Sequence, residues 1–159
     1  MSVEYYNGNI FNAPIDILIH QANCFHVMGA GIASDIKNKY PEAYEADLET
    51  GKGEKTKLGM ASFCDLGSES AIKRIYNLYA QYKYGSKEKH TNYEYYWQGL
   101  TYIKNHIITT IDTWEGIVVG VPFYMGCNRG GGSWPICEAI IKDVFDNDEE
   151  IKVLICKKD

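Results

Sequence analysis

The sequence predicts an α/β protein in which a mainly parallel or mixed sheet of about six strands is covered by helices on both faces. Three observations carry that expectation. Apolar runs of strand length alternate with segments of helical periodicity along the whole chain, the pattern that gives crossover connections and a three-layer α/β/α arrangement. Two of those runs, 15–19 and 117–121, are almost continuously apolar, as strands buried on both faces are. The 159 residues suit one domain large enough to cover both faces, and no repeat or low-complexity segment divides them, so 1–159 is expected to be a single domain.

The elements follow in order. Residues 3–6 are β-prone and are stopped by Asn7-Gly8-Asn9, and 15–19 read as the second strand, with His20 at its end. Ile32, Ile36 and Tyr40 recur at helical spacing until Pro41 ends the pattern, which predicts a helix over 31–39; a shorter one is expected over 42–48. A polar, glycine-bearing loop over 50–57 precedes strands over 59–65 and 74–80. After a charged loop over 82–90, Thr91-Asn92-Tyr93-Glu94 has the spacing of a capping box, in which side chains at both ends satisfy orphan helix donors. The helix it opens is expected to reach 108 and to turn Tyr93, Trp97, Leu100 and Ile107 inward. The strand over 117–121, bounded by Gly116 and Pro122, leads into a glycine-rich segment over 125–134. Pro135 suits the first turn of the last helix, where no amide donor is needed, with Ile136, Ile140, Ile141, Val144 and Phe145 inward. Residues 151–156 close as the final strand.

Charge and cysteine usage exclude several classes. The net charge is −5 and the basic residues are scattered, so no basic stripe offers a duplex an electrostatic footprint and nucleic acid is not expected as a main partner. No apolar run reaches membrane-spanning length, and the first residues carry neither a basic nor an apolar leader region; no membrane partner and a cytoplasmic location are expected. Cys24, Cys64, Cys127, Cys137 and Cys156 are odd in number and contain no C-x-x-C, which reads as free thiols in a reducing compartment. The four histidines, His20, His26, His90 and His106, lack ligand spacing with acids, so neither a metal nor another cofactor is expected. The chain is expected to be a monomer.

Two glycine-rich loops carry the chemistry. The first, Gly29-Ala30-Gly31-Ile32-Ala33-Ser34, begins like a dinucleotide fingerprint but has Ser at the third glycine and starts too far beyond the strand. The second runs Gly126-Cys127-Asn128-Arg129-Gly130-Gly131-Gly132-Ser133 and has the frame of a phosphate-binding P-loop with Gly132 in the lysine slot, which removes the point charge an NTPase needs. Each loop follows a strand and precedes a helix. Loops at the carboxyl ends of strands in an open α/β sheet converge on one crevice, and a helix N-terminus supplies unpaired amides and a positive dipole end, so the pair is expected to grip a diphosphate from two sides.

Gly8-Asn9-Ile10, Asp16-Ile-Leu-Ile-His-Gln-Ala-Asn23, Met28-Gly-Ala-Gly-Ile-Ala33 and Val121-Pro122 with the segment from Met125 to Trp134 together resemble the macrodomain family over nearly the whole chain. The likeness looks closest to phage and bacterial members and to ADP-ribose-1''-phosphate phosphatases. It implies a macrodomain-like fold and ADP-ribose, or its 1''-phosphate, lying across the crest of the sheet. Asn9, beside Ile10, stands where the family has an aspartate against the adenine amino group, and its carbonyl oxygen can still accept that bond. Asn23 matches the asparagine that reaches the distal ribose; 29–33 and 126–130 match the loops around the diphosphate and terminal ribose. Gln81 stands at the lysine position of members that remove ADP-ribose from glutamate or DNA, and Ser133 replaces an acidic residue.

The resemblance places a histidine at His20 in the phosphatase branch. His20 is accordingly the candidate for attack on phosphorus or for activating water, with Asn23 fixing the ribose and Arg129 and the loop amides balancing phosphoryl charge. His26 is the reserve candidate. Hydrolysis of ADP-ribose-1''-phosphate is the expected activity. The alternatives are a reader that only binds ADP-ribose and a hydrolase of ADP-ribosylated protein or nucleic acid.

Overall fold

In the computed structural model, which describes residues 2–85 and 88–158, the loop expected over 82–90 is only partly described: 86–87 lie outside. Six strands, β1 (Val3–Asn7), β2 (Ile17–Ala22), β3 (Ala61–Asp65), β4 (Arg74–Tyr79), β5 (Ile117–Pro122) and β6 (Ile151–Lys157), form one mixed sheet in the order β1-β6-β5-β2-β4-β3. Every neighbouring pair is parallel except β3 with β4 at one edge. The helices are α1 (Gly31–Lys39), α2 (Pro41–Leu48), α3 (Tyr93–Thr110) and α4 (Trp134–Phe145).

The pleat divides the core into two layers. Ile17 and Ile19 of β2 point to the face covered by α3 and α4, where they meet Leu100, Ile103, Ile107, Ile141 and Phe145. Leu18 points to the opposite face, where Ile36 of α1 and Ala43 of α2 close a smaller cluster. The expected three-layer α/β/α arrangement is therefore present. Period-two alternation explains why β2 tolerates an almost unbroken apolar sequence: both faces are buried.

Differences from expectation lie at element ends and on helix faces. α3 is capped by Asn92, whose Oδ1 accepts from the Tyr95 amide at 3.1 Å. Thr91 stands outside the helix and spends its hydroxyl on the second glycine loop, so no capping box forms. The buried stripe of α3 runs through Tyr96, Leu100, Ile103 and Ile107. Trp97, one residue and about 100° round from Tyr96, is 45% exposed, and its indole donates to Asp143. In α4, Cys137 takes the inward position expected of Ile136, which faces outward.

Candidate functional site

A cleft of about 740 Å³ opens at the carboxyl ends of β2 and β5 and is bounded by both glycine loops. Parallel packing puts those strand ends on one rim of the sheet, and the loops that leave them meet there. From the first loop Asn23, Gly29, Ala30, Gly31, Ile32 and Ala33 line the cleft, and from the second Gly126, Asn128, Arg129 and Gly130. Gln81 closes one end. Among the described residues that line it, Arg129 is the only charged one.

The first loop is tied down from within. Asn23 Oδ1 accepts from the Phe25 amide at 2.9 Å and the Val27 amide at 3.3 Å, while Nδ2 donates to the Val27 carbonyl at 2.7 Å. This is the Asx-type use of a short amide, which fixes a turn without help from strand or helix. His26 adopts the left-handed backbone region (φ 63), and its Nε2 lies 2.9 Å from the Thr50 carbonyl, so it anchors the loop to the chain after α2. Beyond the loop, α1 begins at Gly31 (φ 60) with no side-chain cap on Ala30 and no acid in its first turn. The amides of that turn are left for a ligand, at the positive end of the helix dipole.

A polar network fixes the second loop to the end of β2 and to the segment between β4 and α3. Gln21 Nε2 donates to Gln81 Oε1 at 2.6 Å and to Thr91 Oγ1 at 2.8 Å, and the Thr91 hydroxyl donates to the Gly126 carbonyl at 2.6 Å. The Gly130 carbonyl accepts from the amides of His90 and Thr91. Gln81 Nε2 is spent on the Lys83 carbonyl. Gln21 and Thr91 were invisible as site residues in the sequence, since an amide at a strand end and a threonine before a helix have ordinary structural readings.

Several expected site residues lie elsewhere. His20 is fully buried, with 0% exposure, and does not line the cleft. β2 continues to Ala22, two residues past the expected end, so His20 is an interior strand residue whose side chain enters the α1–α2 layer instead of standing at the cleft mouth. Its Nε2 donates to Asn77 Oδ1 at 2.6 Å, because Asn77 commits its amide protons to the Ala43 carbonyl and Ser62 Oγ. Burial holds the imidazole neutral, lowering its pKa from 6.5 to about 4 against the opposing pull of Asn77. Asn9 and Ile10 are outside the lining; Asn9 Oδ1 caps a single helical turn by accepting from Phe11, and Ile10 is a core residue. Cys127 turns toward the α3–α4 core, and Gly131 also lies off the lining.

Aromatic rings flank the cleft at two places that the sequence did not single out. Phe123 and Tyr124 stack with centroids 4.4 Å apart on one side, and Tyr124, 44% exposed, holds a left-handed backbone (φ 65). On the other side Tyr84 is 55% exposed and meets the edge of Phe25, with centroids 6.2 Å apart. A second cavity, of about 580 Å³, lies at the amino-terminal ends of the strands. There the Arg74 guanidinium is committed to Asp65, Tyr76 and Thr110, a structural ion-pair cluster under the end of α3.

No family model matches the chain. The "Uncharacterized 17.5 kDa protein in tk-vs intergenic region" of Enterobacteria phage T4 is 31% identical over 160 residues, 97% of this chain and 96% of that protein. The DNA ADP-ribosyl glycohydrolase of Mycobacterium tuberculosis is 26% identical over 156 residues, 96% of this chain but 41% of that longer protein. The ADP-ribose 1''-phosphate phosphatase of Aspergillus oryzae is 46% identical over 44 residues, 27% of this chain and 22% of that one. Among solved structures, the macrodomain of Mycobacterium tuberculosis DarG superposes with a TM-score of 0.79 at 24% identity, covering 97% of this chain and 96% of that one.

Proposed function

The chain belongs to the macrodomain family, and on that premise we propose that it binds ADP-ribose in the cleft and hydrolyses the bond joining C1'' of the distal ribose to its substituent. One observation carries the reading: a cleft bounded by two glycine loops and an uncapped helix N-terminus, with Arg129 as its only charged side chain among the described residues. Such a site favours an anion, and a diphosphate spans both loops. The adenosine half then points toward β1, where Asn9 Oδ1 keeps a second lone pair for the adenine amino group. The distal ribose reaches Asn23 and Gln81.

The chemistry must come from neutral groups. The described lining contains no histidine, acid, lysine or cysteine, and His20 is both neutral near pH 7 and enclosed in the core. Attack on phosphorus therefore has no side-chain nucleophile or base at the site. Cleavage at C1'' through a carbocation-like transition state asks less of the protein: a water held by amide and carbonyl groups, and acceptors such as Asn128 or Gln81 beside the developing positive charge. This favours a glycohydrolase over a phosphatase, in keeping with the match of 96% of this chain to 41% of the Mycobacterium tuberculosis DNA ADP-ribosyl glycohydrolase. Phosphate release is the second reading, supported by the 44-residue match to the fungal phosphatase.

The test sets three substrates side by side: a single-stranded oligonucleotide carrying ADP-ribose on a base, an ADP-ribosylated glutamate peptide, and ADP-ribose-1''-phosphate. Release of ADP-ribose from one of the two macromolecular substrates, with the phosphomonoester left intact, is the expected result. Turnover of the phosphomonoester alone would overturn the preference and return His20 to consideration.

A further inference from the structure

The strand order sets where the base of a bound nucleotide comes to rest. From β2, which Asn23 follows, to β1 is three strand spacings, about 14 Å. With the distal ribose at Asn23 and the diphosphate between the glycine loops, an extended nucleoside diphosphate-ribose carries its base to the β1 end of the rim. There Gly8 donates its amide to the Lys157 carbonyl at 2.9 Å and Phe123 donates to the Cys156 carbonyl at 2.9 Å, so the end of β6 stands between Asn9 and the aromatic residues that follow β5. Ile10 ties the turn after β1 to the cleft wall: it belongs to a cluster that holds Met28 and Ile36 and is covered by Ile32 and Ala33 of the first loop.

What that turn presents is a side-chain amide of fixed orientation. The Phe11 N–H can only donate, so the Asn9 atom 3.0 Å from it is Oδ1. Nδ2 is the other arm of the fork, and among the described residues none accepts from it. The backbone is held as well, since the Asn9 carbonyl accepts from the Asn12 amide at 3.0 Å. Half-buried Asn9 therefore offers a ligand one lone pair of Oδ1 and, beside it, the N–H donors of Nδ2. The edge of a 6-aminopurine carries a donor on C6 and an acceptor at N1; that of a 6-oxopurine carries an acceptor on C6 and a donor at N1. An amide has a group for each atom of both edges. A carboxylate in its place, which only accepts, would suit the amino group and repel the oxo group.

The remaining surface at that end reads no edge. The cleft lining beyond β5 is Pro122, Phe123 and Tyr124, and the stacked Phe123–Tyr124 pair offers an aromatic face, which every base matches alike. Lys157, the last residue of β6, holds its ammonium 4.7 Å from the centroid of the Phe123 ring, a charge that suits a carbonyl oxygen better than an amino group.

We infer that the cleft accepts 6-oxopurine nucleoside diphosphate-riboses as readily as ADP-ribose, and that Asn9 is the residue that admits them. The inference rests on the ADP-ribose reading above, which gives the ligand its direction, and adds to it the breadth of the ligand class. Asn9→Asp keeps the acceptor for the Phe11 amide, and with it the turn, while making the other arm of the fork a second acceptor.

Calorimetric titration of the intact chain with ADP-ribose and with inosine diphosphate-ribose, which differ only at C6 and N1 of the base, measures the choice. The expected affinities of the parent chain lie within about fivefold of each other. Asn9→Asp separates them by about tenfold or more in favour of ADP-ribose, because the oxygen on C6 then faces an acceptor. A parent chain that prefers ADP-ribose beyond the fivefold range, or an Asn9→Asp chain whose ratio is unchanged, would overturn the inference while leaving ADP-ribose binding intact. A parent chain without measurable affinity for ADP-ribose would instead overturn the reading beneath it.

Discussion

The imidazole of His20 is an internal base that the fold keeps unprotonated, and this makes stability pH-dependent. Its pKa is lower in the folded chain (about 4) than in the unfolded one (6.5), so between those values the unfolded chain binds more protons and stability falls as the pH drops. The window is pH 6.5 to 4, and the shift corresponds to at most about 3 kcal/mol. Asp47 acts with the opposite sign: burial raises its carboxyl pKa despite the hydrogen bond from Tyr79, so it contributes stability that is lost as the pH rises. Comparing variants cancels that background. His20→Gln keeps a donor for Asn77 Oδ1 and removes the titration; its unfolding midpoint should fall less than that of the parent between pH 6.5 and 4.5 in thermal melts. Parallel curves for the two chains would contradict a buried neutral His20.

At the scale of elements, loops and strand ends decide the site. Gly126 lies in the left-handed region (φ 81), and a Cβ there would stand 2.7 Å from Gln21 Oε1 and 3.1 Å from the Tyr96 ring. Gly126→Ala should therefore cost about 1–2 kcal/mol of stability from backbone strain alone and should weaken ADP-ribose binding by disturbing the Gln21–Thr91 tie. Gly29→Ala is the matched control, since a Cβ at Gly29 meets nothing within 4 Å. Urea unfolding of the two variants checks this, and equal losses would contradict the crowding at Gly126. The same elements show what a sequence can tell. Helix α1 was legible to its ends because Gly31 and Pro41 punctuate it, and the two glycine loops were legible because each sits between a strand and a helix. The end of β2 was not, because nothing in His20-Gln21-Ala22 distinguishes the last strand residues from the first loop residues. That error of two residues moved His20 from the core to the cleft mouth. Thr91 was likewise misread as a cap because its partner, the Gly126 carbonyl, lies 35 residues away. Tyr84 and Tyr124 gave no local signal; their place at the cleft follows only from which strands are neighbours.

For the molecule as a whole, the mixed sheet does the work of alignment. It brings loops from 23–33, 81–85 and 122–130 onto one rim and spaces them across the ends of three neighbouring strands, β5, β2 and β4, which suits an elongated ligand. Binding to the folded chain alone must also stabilise it: ligand at one hundred times its dissociation constant adds about 2.7 kcal/mol. Calorimetric titration of the intact chain with ADP-ribose reads the cleft's occupant without assuming any activity. A saturable heat with one site per chain, weakened at least several-fold by Arg129→Ala, is the predicted result. No heat at millimolar ADP-ribose, in a chain whose melting curve shows it folded, would contradict the assignment of this cleft.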